Sequence, residues 1–302
     1  MSAVAAFAEV VGPEAAGPVV AVGGGTAGAV GGPVAPGTRE VNAPVGVVAL
    51  EPAEMTVRVG AGTRVTELQA ALSAAGQRVA LPDRADATVG GVLAVGRSGL
   101  ERLGWGPVRN TVLEIRYVSA SGDVVTAGGP TVKNVSGYDL CRLLVGSLGT
   151  LGLLAEVMLR TTPVPASAQW FAGAGHDPFA LQQALHQPVA VLWDGTTTWV
   201  QLEGHPADVA DQAELVGLTG QEVPGPPPLP TERWSLAPSA LRSLPDDGRG
   251  PFVAEVGVGI VHRDVAPPPR ALAPPVAALH ARLKAVFDPT GRLAPGRSVH
   301  LS

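Results

Sequence analysis

The chain has 302 residues, 46% of them hydrophobic, 16% charged and 4% aromatic, which allows about two domains with cores built mainly from Val, Leu and Ala. A formal charge of −5 with no Lys/Arg cluster leaves no electrostatic footprint for nucleic acid, the single Cys141 excludes an internal disulfide, and no Cys/His grouping has zinc or iron–sulfur spacing. A cytoplasmic setting is expected: no basic residue precedes Arg39, and the uncharged run 15–38, with eight glycines and three prolines, reads as loop and not as a transmembrane segment.

Pro18 to Val22 reads as a strand running into Gly23-Gly24-Gly25-Thr26, and Val45 to Leu50 and Thr56 to Val59 as further strands. Thr63 to Ala75 has the spacing of a helix, with Thr63 as cap, Val65, Leu68 and Leu72 on one face, and Gly76 closing it in a left-handed conformation. Val112 to Ser119 alternates and turns at Ser121-Gly122 into Val124-Val125, an antiparallel hairpin. Asp139 to Val145 reads as a short helix capped by Asp139 with Cys141 as a small buried hydrophobe. Leu153 to Arg160 follows as a strand with Leu153, Ala155, Val157 and Leu159 on one face. Composition shifts near Thr161 to Pro165, the expected domain boundary. Pro275 to Phe287 reads as an amphipathic helix before the turn Asp288-Pro289-Thr290-Gly291.

Gly23-Gly24-Gly25-Thr26-Ala27-Gly28 after a strand matches the glycine pattern of dinucleotide-binding βαβ units, and Glu51 even stands where the ribose-binding acid belongs. Such a unit needs a crossover helix from that loop, and prolines at 33, 36 and 44 with glycines at 31, 32 and 37 forbid one. Unshielded successive amides still form a concave nest for a pyrophosphate. Taken alone, the loop reads equally well as a flexible turn.

More specific residues follow: Val59-Gly60-Ala61-Gly62-Thr63, Leu81-Pro82-Asp83, Ala87-Thr88-Val89-Gly90-Gly91-Val92-Leu93-Ala94, Ser98-Gly99 and Gly104-Trp105-Gly106. After them come Val132-Lys133-Asn134-Val135-Ser136-Gly137-Tyr138-Asp139-Leu140, then Leu144-Val145-Gly146-Ser147-Leu148-Gly149-Thr150-Leu151-Gly152, and at the end Phe287-Asp288-Pro289-Thr290-Gly291-Arg292-Leu293. This ordered series resembles the vanillyl-alcohol-oxidase (PCMH-type) FAD-binding flavoproteins, most closely the FAD-binding subunits of bacterial glycolate oxidases. The resemblance implies an α+β fold: a two-subdomain FAD-binding domain at 1–162, then a smaller α+β cap at 163–302, with 285–302 returning to the first domain. It places Gly23, Gly24, Gly25 and Thr26 at the FAD pyrophosphate, and Pro82, Thr88, Gly90, Gly91, Ser98, Gly99 and Gly106 along the rest of the dinucleotide. The activity it implies is that of an FAD-binding oxidoreductase. Such a subunit of a 2-hydroxy-acid dehydrogenase would act on a small acid such as glycolate beside a second flavin subunit and an iron–sulfur subunit, with any membrane association peripheral and through those partners.

No histidine precedes His176, so non-covalent FAD is expected. His176, His186, His205, His262, His280 and His300 are scattered, each reading as a surface residue. No catalytic residue and no metal site are therefore assigned, and Trp193 and Arg233 receive no role. Lys133, Asn134 and Asp139 stand out as polar residues among apolar ones, with Lys133 reading rather as a solvated strand end and Asp139 as the helix cap. Relative to the family the N-terminal segment is short, and Ala294 stands where asparagine is usual.

Overall fold

The computed structural model describes residues 1–82, 85–129, 139–268 and 271–299. In chain order the helices are α1 (Ala3–Val11), α2 (Val65–Ser73), α3 (Val89–Val95), α4 (Arg102–Trp105), α5 (Leu140–Leu144), α6 (Pro178–Ala184), α7 (Pro206–Leu215) and α8 (Pro274–Phe287). The strands of the first part are β1 (Val19–Val22), β2 (Arg39–Asn42), β3 (Val47–Glu51), β4 (Thr56–Gly60), β5 (Gln77–Arg78), β6 (Val112–Val118), β7 (Val124–Gly128), β8 (Leu153–Arg160) and β9 (Thr162–Pro163). Those that follow are β10 (Ser167–Ala174), β11 (Ala190–Trp193), β12 (Thr197–Gly204), β13 (Glu222–Val223), β14 (Glu232–Ser235), β15 (Val253–Glu255) and β16 (Ile260–Arg263). The chain forms two compact units, one of Met1–Gly99, Pro107–Val164 and Ala271–Ser302, the other of Leu100–Gly106 and Pro165–Arg270.

In the first unit, β1 and β2 pair in parallel, and the described connection between them holds turns and no helix, as its prolines require. A five-stranded antiparallel sheet of order β3-β4-β8-β6-β7 lies beside them in sequence. Its strands bury Val57, Val59, Ile115 and Leu159 against Val65, Leu68 and Leu72 of α2 and Val89 and Leu93 of α3. Each fully buried leucine contributes about 2 kcal/mol by leaving water. Residues 153, 155, 157 and 159 do not share one core as their alternation suggests. The β6–β8 register slips between Arg116 and Tyr117, so Leu153 and Ala155 join Phe7 and Val11 of α1 in a second cluster, while Leu154, Val157 and Leu159 stay in the first.

Two local expectations are corrected. Thr63 does not cap α2: its hydroxyl accepts the Gly46 amide at 2.8 Å, and Arg64 occupies the cap position without a side-chain bond. Gly76 is left-handed as expected (φ 66°). None of the described side chains of α8 is buried; Ala277, Ala281 and Leu283 border a cavity of about 460 Å³, and Phe287 at its end packs partly buried against the first cluster.

The second unit is a seven-stranded sheet of order β13-β10-β12-β11-β15-β16-β14. One face packs Phe171, Val191, Val200 and Leu202 with Leu181 of α6 and Val209 and Ala213 of α7, and Trp234 and Val261 with Leu241 and Leu244. The segment 100–106 is held here by the Gly104 amide on the Val189 carbonyl (3.0 Å) and the Trp105 indole on Glu203 (3.1 Å).

Candidate functional site

The glycine loop leaves β1 at Gly23 and turns through Gly25 (φ 72°). Among the described residues, the amides of Gly24, Gly25, Thr26 and Ala27 donate to no protein acceptor. The closing motif of the chain braces this loop: the Val19 amide donates to the Arg292 carbonyl (2.9 Å), the Ala294 amide to Val19 (2.8 Å), the Ala35 amide to Pro295 (2.8 Å) and the Ser298 amide to Gly31 (2.7 Å).

Beside the loop stands α3, capped by the Thr88 hydroxyl, which accepts the Gly91 amide at 3.2 Å. Glycine is required here by close approach. A β-carbon on Gly23 would strike the Thr88 hydroxyl, one on Gly24 the Asp86 carbonyl, and one on Gly90 would lie 2.8 Å from Ala61 Cβ. The Gly90 amide donates to the Ala61 carbonyl (2.7 Å), while those of Gly146 and Leu148 donate to Leu93 and Ala94 (2.9 Å each), fastening the loop before β8 to the same helix. The result is a cleft whose walls include Gly23, Gly62, Thr88, Gly90, Gly91 and Gly149, floored by Leu153 and Leu154. Walls of glycine and alanine expose backbone to a ligand, and the adjoining amides lack acceptors, so these residues fit the pyrophosphate of a dinucleotide such as FAD.

Of the sequence-derived positions, the cleft gathers Gly23, Thr88, Gly90 and Gly91, and Gly24, Gly25 and Thr26 follow directly in the exposed turn. Pro82 is half-buried next to the undescribed residues 83–84. The Ser98 hydroxyl accepts the Val108 amide (3.0 Å), Gly99 ends a segment of the first unit, and Gly106 (φ 80°) closes α4 in the second. Lys133, Asn134 and His300 lie outside the described residues. Asp139 caps α5 by accepting the Arg142 amide at 3.1 Å. Cys141 is buried, and burial followed by the charge of Asp139 pushes its thiol up to about 11, which disfavours the nucleophilic thiolate at neutral pH.

Ala294 has a left-handed backbone (φ 44°), a conformation asparagine tolerates better than alanine, and its backbone amide makes the bond to β1.

One expectation fails. His262 is not a surface histidine: it is 9% exposed on β16, with Nε2 2.9 Å from Oε1 of Glu255, itself 3% exposed on β15. Glu255 Oε2 has no partner among the described residues. Strand alternation around Val261 would have put His262 on a sheet face, but nothing local revealed that Glu255 shares it.

The turn 288–292 carries more than a turn. Asp288 accepts the Arg292 amide (3.0 Å), the Leu293 amide (2.8 Å) and Lys284 Nζ (2.5 Å). Arg292 donates to the carbonyls of Val11 (2.9 Å), Gly12 (3.0 Å), Gly17 (2.9 Å) and Ala120 (2.9 Å). Desolvation lowers the pKa of this buried guanidinium from its ordinary value. On the main sheet, Arg58 bonds Glu114 (2.6 Å) and Glu156 (3.2 Å), and the hydrogen bond to Glu114 chiefly raises its pKa. No group of three potential metal ligands occurs among the described residues.

The glycine-walled cleft beside the β1–β2 pair fits a dinucleotide, and likeness to known proteins names the class, the FAD-binding flavoproteins. Residues 5–128 match the family described as FAD binding domain. The chain is 33% identical over 221 residues to glycolate oxidase subunit GlcE of Escherichia coli (strain K12), covering 69% of this chain and 61% of that protein. It is 44% identical over 82 residues to D-lactate dehydrogenase of Archaeoglobus fulgidus (27% of this chain, 18% of that one). With glycolate oxidase subunit GlcD of Bacillus subtilis (strain 168) the identity is 42% over 78 residues (26% and 17%). The chain thus spans less than two thirds of the length of each of these relatives. Among solved structures it is similar to alkyldihydroxyacetonephosphate synthase (TM-score 0.68, 15% identity, 97% of this chain and 73% of that chain) and to the carbohydrate oxidase from Microdochium nivale (0.54, 18%, 70% and 49%), which speaks for the fold alone. The chain is an FAD-binding flavoprotein related to glycolate oxidase subunits and D-lactate dehydrogenases.

Proposed function

We propose that this chain is the FAD-carrying subunit of a glycolate-oxidase-like 2-hydroxy-acid dehydrogenase. The observation that supports it most is the set of four amides without acceptors among the described residues beside the glycine-walled cleft, in a chain 33% identical to GlcE over 221 residues. In this reading Gly23, Gly24, Gly25 and Thr26 hold the pyrophosphate and Pro82, Thr88, Gly90, Gly91, Ser98, Gly99 and Gly106 the rest of the dinucleotide. FAD is held non-covalently, since neither the loop nor the cleft lining contains His or Cys. Bound FAD supplies the electron acceptor, and the protein supplies binding and orientation. Residues 1–162 act as the FAD-binding domain and 163–302 as the cap, with 285–302 returning to the first. The partners are a second flavin subunit and an iron–sulfur subunit, and membrane association, if any, runs through them; no described helix is long and apolar enough to cross a membrane.

The test is the visible spectrum of the purified chain after loading with FAD and removal of excess, then anaerobic addition of glycolate. Bound flavin that stays oxidised alone but is reduced once the partner subunits are added supports the proposal. Bleaching by glycolate without partners would make the chain a self-contained dehydrogenase, and failure to retain FAD would leave an assembly subunit; either result overturns the reading.

A further inference from the structure

The second unit carries a cavity of about 440 Å³ that the flavin reading does not use. Its walls include Phe179, Trp193, Pro178 and Pro245, and its size lies within the range of small-ligand sites. Trp193 is fixed from both sides, edge-to-face with Phe179 (centroids 5.8 Å apart) and with Phe252 (5.4 Å), yet is only half-buried. The Arg242 guanidinium lies 3.9 Å over the Phe179 ring, which holds it in place through the cation–π contact.

Three donor-bearing side chains of the lining stand without a hydrogen-bonding partner among the described residues. Among the described residues, the Arg242 guanidinium, the Trp193 indole N–H and the His176 ring make no hydrogen bond or ion pair with the protein. The neighbouring carboxylate, Asp177, uses Oδ1 to accept the Phe179 amide at 2.9 Å, and the Thr196 hydroxyl donates to Asp194 (2.9 Å). A ligand that complements this lining brings acceptors and a flat apolar body. We propose that the cavity binds a planar aromatic carboxylate, the ring against Trp193 and the carboxylate on Arg242, in the bidentate geometry a guanidinium offers.

The experiment titrates the full chain, loaded with FAD so that the flavin cleft is filled, with benzoate, benzamide and benzylamine, followed by ligand-observed NMR and calorimetry. Benzoate should bind saturably, benzamide about tenfold more weakly, and benzylamine not at all. Arg242→Gln, at an exposed side chain whose loss leaves the fold intact by circular dichroism, should weaken benzoate about tenfold or more, with Arg242→Lys intermediate. Absence of saturable benzoate binding, equal binding of benzamide, or unchanged affinity in Arg242→Gln would overturn the proposal. None of these outcomes depends on turnover of a hydroxy acid.

Discussion

Gly24, in the turn beside the cleft, and Gly91, in its wall, are glycine for different reasons, and this decides which of them can probe the flavin site. A side chain on Gly24 collides with the Asp86 carbonyl, so its replacement disturbs the protein before any ligand is present. Gly91 is exposed within α3, and a β-carbon there meets only the Thr88 hydroxyl, at 3.0 Å. Alanine is also the better helix former by about 1 kcal/mol. Gly91→Ala should therefore melt at or slightly above the parent temperature while FAD affinity drops by about tenfold, because a methyl group stands where main chain should meet phosphate. A variant that keeps parent affinity in a flavin titration would move the pyrophosphate away from this wall. Gly23, Gly24 and Gly90 were legible in the sequence because glycine is the only residue that tolerates such approach. The partner atoms, Thr88, Asp86 and Ala61, were not, since contacts across 29 to 65 positions leave no local pattern.

At the scale of elements, two buried arginines tie segments together. Arg292 joins the end of α1, the turn ending at Gly17 and the turn between β6 and β7 by four bonds to carbonyls, three of them spanning 275 to 281 positions. Arg292→Met removes every donor and leaves those carbonyls buried; the expected loss is about 4 kcal/mol, read from denaturant unfolding. A loss below about 1 kcal/mol would show that water replaces the guanidinium. In the second unit Arg263 is fully buried between Trp234 and Phe252 and bonds Asp247 at 2.7 Å. Burial alone would raise the Asp247 pKa, but the Arg249 amide and the Arg263 charge outweigh it and hold the carboxyl below its ordinary value. A depressed folded-state pKa means the stabilisation is complete above the ordinary aspartate range and is lost as pH falls through the folded value. Asp247→Asn should cost about 2 kcal/mol at neutral pH and flatten the acid limb of the stability profile; an unchanged limb would assign it to other carboxylates. Sequence alone showed the turn 288–292 as a turn, and gave Arg263 and Asp247 no significance, because a strand residue and a loop residue sixteen positions apart pair only once the sheet exists.

For the whole molecule, the path of the chain matters more than a single boundary near 163. The chain enters the second unit at Leu100–Gly106, returns, leaves again after Val164 and comes back at Ala271. The strong local signals lie in the stretch 5–128 that matches the FAD binding domain, since phosphate-approaching turns and capped helices are written in short motifs. The excursion of 100–106 carries the short motif Gly104-Trp105-Gly106, but nothing local says what it packs on: a β-carbon on Gly104 would lie 2.8 Å from the Cα of Val189, a constraint set by a residue 85 positions away. A fragment of residues 1–164 would lack both Val189 and Glu203, which receive Gly104 and Trp105, and the closing segment whose Arg292, Ala294, Pro295 and Ser298 brace β1 and the glycine loop. It should neither melt cooperatively nor retain FAD, although it contains every residue of the family match. Adding a peptide of residues 271–302 should restore part of the flavin binding, because the bonds to Val19, Gly31 and Ala35 form in trans. Cooperative melting of the 1–164 fragment near the temperature of the full chain would mean that the glycine loop is held by its own strand pair, and that the closing segment covers the loop without supporting it.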